Sequence, residues 1–156
     1  MSHQKFIREA IALAETMFNE GEGGPFAALV VRDQIVLGRG WNRVTSALDP
    51  TAHAEIEAIR QACQQVRSFN LAGCILYVNC EPCPMCLAAI YWAGIKSVYY
   101  AADRHDAAAI GFADHHIYEE LAGERTKRKI PMRQMMREEA LTLFNKWREK
   151  PDKTSY

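Results

Sequence analysis

Apolar side chains recur at helical spacing near the start of the chain. From about Gln4 to Asn19, the positions Ile7, Ala10, Ile11, Ala14, Met17 and Phe18 fall three or four residues apart or adjacent, which predicts an amphipathic helix. Gly21, Gly23, Gly24 and Pro25 stop it. Phe26 to Val31 is then an apolar run, Arg32-Asp33-Gln34 a polar turn, and Ile35 to Gly38 a second apolar run, together a β-hairpin. Trp41 to Pro50 reads as a loop. Thr51 is placed to cap a second helix through Ile56, Ala58, Ile59 and Cys63. Cys74 to Val78 predicts a strand, Pro82 and Pro84 a break, Met85 to Ala93 a short apolar helix, and Val98 to Ala102 a further strand. A last helical stripe from about Pro131 to Trp147 carries Met132, Met136, Ala140, Leu143, Phe144 and Trp147.

The alternation of helix and strand after Thr51 implies parallel strands with crossover helices, and hence a mixed sheet covered by helices on both faces. A length of 156 residues is that of one ordinary domain, able to bury a full core. No repeat or linker divides it, so residues 1–156 read as a single domain.

No apolar run is long enough to cross a bilayer. The opening Met-Ser-His-Gln-Lys lacks the basic and apolar regions of a secretory signal, so the cytoplasm is the expected location. Lys plus Arg equals Asp plus Glu at 19 each, a balance that argues against a dedicated binder of long nucleic acids and favours a small uncharged substrate. Arg125 to Lys129 is basic, but Glu119, Glu120 and Glu124 precede it, so the stretch reads as a solvated loop of mixed charge. His115 and His116 read as solvent-facing, since no further ligand spacing supports them.

The five cysteines, at 63, 74, 80, 83 and 86, are odd in number and argue against a disulfide framework. Three of them fall within seven residues, which points to metal binding or redox chemistry. The cluster Cys80-Glu81-Pro82-Cys83-Pro84-Met85-Cys86 and the earlier Thr51-Ala52-His53-Ala54-Glu55 each lie near the start of a predicted helix. In a sheet with parallel crossovers those helix starts gather on one edge. His53, Cys83 and Cys86 can then converge as three zinc ligands. Structural zinc is normally closed by four ligands, whereas catalytic zinc keeps one position for water. Zinc lowers the pKa of that water from about 15.7 to roughly 7. Glu55, two residues after His53, can move its proton without binding the metal. Alone, His53 reads as a satisfied helix histidine, Cys83 and Cys86 as a thioredoxin-like redox pair, and Glu55 as a helix N-terminal carboxylate. Together they form H-x-E with P-C-x-x-C, the signature of zinc nucleobase deaminases. Cys63, Cys74 and Cys80 read as buried small apolar residues.

On these motifs the chain resembles the cytidine deaminase superfamily, in the branch containing bacterial guanine deaminases. The likeness runs nearly end to end, through Gly23-Gly24-Pro25-Phe26-Ala27, Asn42, Asp49 to Glu55, Glu81 to Cys86, Ala89 to Ala93, Gly111-Phe112-Ala113-Asp114 and the terminal Tyr156. It implies an α/β fold: a three-layer α/β/α sandwich around a mixed five-stranded sheet. It also implies one Zn2+ per subunit, a purine base (guanine) as small-molecule partner, and a homodimer in which a C-terminal segment of about 130–156 crosses to the other subunit. By position, Asn42 would hydrogen-bond the base, Phe26 would stack on it, Ala54 would contact it, Asp114 would face the purine edge, Trp92 would line the pocket and Tyr156 would help close it. Each has a plainer reading: Phe26 and Trp92 as packing, Asn42 as a turn residue, Asp114 as a helix cap, Tyr156 as a free chain end. A tRNA adenosine deaminase would share the zinc motif but should carry basic surface for phosphates. A cytosine deaminase and a non-enzymatic zinc module also remain open at this point.

Overall fold

The computed structural model describes residues 3–156. Met1 and Ser2, the head of the segment read for a secretory signal, lie outside the described residues. The chain divides into two compact units, Met1–His115 and His116–Tyr156.

In the first unit, helix α1 (His3–Asn19) leads into strands β1 (Ala27–Arg32) and β2 (Ile35–Trp41). They form the expected hairpin, with Arg32 paired to Ile35 across a two-residue turn. Asp33 and Gln34 both take positive φ, 50° and 67°, the twist that suits a two-residue hairpin loop. β2 runs on to Trp41, which pairs with Ala27, so Trp41 belongs to the sheet and not to the loop predicted from it. Helix α2 (Ala54–Val66), strand β3 (Ile75–Cys80), helix α3 (Pro84–Trp92) and strand β4 (Ser97–Ala102) follow. β4 lies parallel to β3 through the α3 crossover, and β3 lies antiparallel to β1.

The sheet has four strands in the order β2-β1-β3-β4, which corrects the expectation of five. After β4 the chain turns directly into helix α4 (Arg104–Ala109). Asp103 enforces that turn: its carboxylate accepts from the backbone N–H groups of His105 and Asp106, and the Asp106 carboxylate accepts in return from the Asp103 N–H. This reciprocal cap starts the helix directly after β4.

Alternation along the strands separates two cores. Ala28, Val30, Leu76 and Val78 face α2 and α3, where Ala54, Ala58, Ala62, Ile90 and Ala93 meet them. Leu29, Val31 and Tyr77 face the other way, onto Phe6 and Ala10 of α1. The unit is therefore a mixed sheet with one helix on one face and two on the other. Gly38 and Gly40 let α2 lie directly on β2, for a Cβ on either would collide with the α2 backbone.

The second unit holds most of helix α5 (His115–Ala122), a short 3-10 turn at Arg125–Lys127 and helix α6 (Arg137–Glu149). The predicted helix from Pro131 to Trp147 begins six residues late, because residues 131–136 are irregular and Met136 takes a left-handed conformation. Spacing of Met132 and Met136 mimicked a helical turn that the backbone does not form. The basic stretch is largely exposed, as expected of a solvated loop of mixed charge. Lys127 pairs with Glu124 at 3.0 Å, the Arg128 guanidinium donates to the Glu120 backbone carbonyl, and the Lys129 backbone N–H donates to the Glu120 carboxylate.

Candidate metal and active site

Two helix starts build the site. His53 is the N-cap of α2 and Cys83 the N-cap of α3. Both have extended backbones, with ψ of 155° and 169°, and neither caps its helix with its own side chain, which leaves ring and sulfur free to turn inward. Thr51 is not the cap predicted for α2, since its hydroxyl and N–H both donate to the Asp49 carboxylate at 2.7 and 2.8 Å. Asp49 thereby shapes the approach to His53, and its pKa is held down by those bonds. Pro84 starts α3, where its missing N–H costs nothing.

The ligand atoms of His53, Cys83 and Cys86 all lie within 4.8 Å of one another. His53 Nδ1 stands 3.5 Å from Cys83 Sγ and 3.6 Å from Cys86 Sγ. A tetrahedral zinc with ordinary Zn–N and Zn–S bonds has an N···S edge of about 3.6 Å. Among the described residues this is the one such His/Cys/carboxylate group, and its spacing and donor set fit Zn2+. Cys80 is not part of it; its buried thiol points at the Asp103 carbonyl, 3.7 Å away, and burial lifts its pKa to about 11. Cys74 is also buried and Cys63 partly so, as expected of structural cysteines.

Electrostatics favour a ligand thiolate. The hydrogen bond from Cys86, followed by that from His53, lowers the pKa of Cys83 to about 4. Cys86, the donor of that bond and itself buried, moves the other way. The bond with Cys83 raises the pKa of His53. Positive ends of α2 and α3 converge on the same point and add to the preference for negative charge.

Glu55 sits in the first turn of α2, only 6% exposed, with its carboxyl hydrogen-bonded to Cys86. Burial raises its pKa from 4.5 to about 7. In the metal-free site, a carboxyl at that value can both take and give a proton near neutral pH. Ala54, between His53 and Glu55, is fully buried against the sheet.

Phe26, immediately before β1, is half-buried and meets Phe112 edge-on at 4.9 Å between ring centres. Asn42, just past β2, is buried, and its backbone N–H donates to the Phe26 carbonyl at 2.9 Å. Its side-chain oxygen accepts from the N–H groups of Gly24 and Val44, each at 3.2 Å. With the oxygen so occupied, the amide NH2 is the end available to a ligand. Asp114 is partly buried, which raises its pKa, and the Cys83 and Glu81 charges add to that rise while Arg104 opposes it. Trp92 ends α3 with 73% of its surface exposed, and Tyr156 is 86% exposed at the end of the second unit. His115 and His116 are exposed, as expected.

Sequence reasoning passed over Asn79. Its side chain bridges to Pro25 and Ala27 on either side of Phe26. The partners lie more than fifty positions apart, and an asparagine late in a strand carries no local signal of such a link.

Known proteins with these features are close at hand. The family described as cytidine and deoxycytidylate deaminase zinc-binding region matches residues 1–102. Guanine deaminase of Bacillus subtilis (strain 168) is 47% identical over 156 residues, covering all of both chains. Its X-ray structure superposes with a TM-score of 0.96, covering 100% of this chain and 99% of that one. A tRNA-specific adenosine deaminase of Haemophilus influenzae is 38% identical over 112 residues, 72% of this chain and 65% of its own. A structure of guanine deaminase from Nitrosomonas europaea is 31% identical, with a TM-score of 0.69 over 73% of this chain and 66% of that one.

Proposed function

We propose that this chain, which belongs to the cytidine and deoxycytidylate deaminase family, is a guanine deaminase that turns guanine and water into xanthine and ammonia. The observation that carries the chemistry is the buried Glu55 beside three converged ligands whose spacing fits zinc. The choice of guanine rests on similarity to a guanine deaminase over the entire chain, where the adenosine deaminase of tRNA matches a shorter part.

His53, Cys83 and Cys86 would hold one Zn2+ per subunit. Bound there, the metal supplies Lewis acidity that makes water acidic near neutral pH. Glu55 accepts the proton that water loses as its oxygen attacks the amine-bearing carbon. The same carboxyl passes that proton to a ring nitrogen, then takes the second proton from the hydroxyl of the adduct and hands it to the amine, which leaves as ammonia while the carbonyl forms. Phe26 holds the base by stacking, the Asn42 NH2 donates to a ring or carbonyl acceptor, and Asp114 accepts from the N–H edge of the purine. Ala54 contributes contact at the α2 start, Trp92 lines the pocket, and the exchanged tail of the other subunit brings Tyr156 to help close it. Walls formed by Phe26 and Phe112 limit water, which strengthens the charge interactions at Glu55.

The chain acts as one deaminase domain in a homodimer that exchanges residues of about 130–156. In support, α6 leaves Leu143, Phe144 and Trp147 49–64% exposed, an apolar surface that calls for a cover. Among the described residues no helix is long and apolar enough to cross a membrane, and the described cysteines are free, which fits a reducing cytoplasm.

Ammonia release tests the reading directly. Zinc-loaded protein is given free guanine, adenine, cytosine and a tRNA anticodon stem-loop. Release from guanine, and not from the tRNA, is the expected result. Activity on the tRNA alone would overturn it.

A further inference from the structure

We propose that Asn79 is a positioning residue that holds Phe26 in place for the bound purine. The inference rests on the reading of Phe26 as the stacking residue.

Strands β1 and β3 pair from Val31↔Ile75 to Ala28↔Val78, and their backbone ladder ends there. The next pair in that register would be Ala27 with Asn79. At this point the Asn79 side chain takes over from the main chain. Its oxygen accepts from the Ala27 N–H at 3.0 Å, and its NH2 donates to the Pro25 carbonyl at 2.8 Å. These two groups flank Phe26 in the chain. Ala27 is fully buried, so its N–H has no water to turn to if Asn79 is lost.

Phe26 itself is gripped from the other side. Its carbonyl accepts from the Asn42 N–H at 2.9 Å, and its N–H donates to the Gly24 carbonyl at 2.8 Å. A Cβ on Gly24 would stand 3.2 Å from both the Phe26 and Phe112 rings, so the ring has little spare room on that side. β2 and β3 thus clamp one residue from opposite edges of β1. Asn42 supplies one jaw and is also a proposed substrate contact. Asn79 supplies the other, with its side-chain oxygen and NH2 both engaged on this segment. Its planar amide is what the place demands, because it must donate on one side and accept on the other. Asp cannot donate to the Pro25 carbonyl when ionised, and Ala can do neither.

The clamp acts on base binding and not on the proton transfer, since Glu55 and the metal ligands sit on α2 and α3. That difference makes it testable. Four zinc-loaded proteins are compared: the natural chain, Asn79→Ala, Phe26→Ala and the double variant. Zinc content and melting are measured for each. Calorimetry then measures binding of hypoxanthine, which is guanine without its exocyclic amine and so cannot be turned over, and kinetics follow guanine. Asn79→Ala should weaken hypoxanthine binding and raise the guanine KM about tenfold, the scale of a lost base–aromatic stack. Its kcat should stay within about threefold. In the Phe26→Ala background the same change should add less than about twofold, because the residue it positions is gone. Asn79→Asp, closer in shape, should show the same pattern if Asn79→Ala does not fold. Equal effects in both backgrounds, unchanged binding, or a loss confined to kcat or zinc content would overturn the proposal. A natural chain that binds hypoxanthine but releases no ammonia from guanine would sink the guanine reaction, while the binding cycle still decides the role of Asn79.

Discussion

Gly40→Ala tests whether the seating of α2 on the sheet sets the reaction geometry. A Cβ at Gly40 would fall on backbone atoms of α2: the Ala54 carbonyl oxygen, the Ala58 nitrogen and, at 2.9 Å, the Glu57 carbonyl carbon. Carbon atoms pack at about 3.5–4.0 Å, so the first turn of α2 must retreat by about 1 Å. A helix backbone cannot swing aside as a long side chain can. Overpacking of this kind costs about 1–3 kcal/mol of stability. The larger effect is on chemistry, because His53 and Glu55 ride on the displaced turn. A misplacement of about 1 Å can cost roughly a hundredfold in rate, equal to about 2.7 kcal/mol of barrier. Gly38→Ala is the control. Its Cβ would meet the Ala58 carbonyl oxygen and, at 2.7 Å, the Ala62 nitrogen, one turn further from the site. Both variants should melt earlier, but only Gly40→Ala should lose most of its kcat while keeping zinc. The assay is guanine turnover beside zinc content and melting temperature. Equal kcat losses in the two variants, or a fully active Gly40→Ala, would refute the reasoning.

Other outcomes follow from the same geometry. Glu55→Gln should keep zinc and fold while kcat falls at least about a hundredfold, and full turnover would remove Glu55 from proton transfer. In metal-free protein, burial raises the Glu55 pKa to about 7, above its ordinary 4.5. The folded state therefore holds that proton more tightly than the unfolded chain, and stability falls as pH rises between those two values. Glu55→Gln should flatten this slope in denaturant titrations of the chelated protein. At Asp103 the sign is opposite. Bonds from the Asp106 and then the His105 N–H hold its pKa down, so its contribution is present above the unfolded value of 3.8 and is lost as pH falls through the folded value. Asp103→Asn keeps an acceptor at the cap but cannot titrate, so its melting temperature should fall less steeply from about pH 5 to about pH 2. Deletion of residues 152–156 should lower guanine turnover more than zinc content, and unchanged activity would take Tyr156 out of the site.

Some of this protein was legible in its residues alone. Amphipathic spacing located α1, and an apolar run, a polar turn and a second apolar run located the hairpin. Motif spacing picked out His53, Cys83, Cys86 and Glu55, because metal chemistry restricts both residue types and intervals. Local patterns reach only a few positions, and the mistakes fall where longer contacts decide. Thr51 has the chemistry of a cap, yet Asp49 claims its hydroxyl and moves the start of α2 to the residue after His53. The five strands implied by resemblance come down to four, and the reciprocal bonds of Asp103 and Asp106 turn the chain into a helix directly after β4. Met132 and Met136 have helical spacing, but a left-handed Met136 delays α6. Local composition set which side chains could bind a metal and which segments could bury a face. Only tertiary structure brought His53 within 3.6 Å of two sulfurs thirty or more positions away, buried Glu55 beside them, and gave Asn79 the two ends of Phe26 to hold. Those distances depend on strand order and helix seating, and both are settled by contacts between residues far apart in the chain.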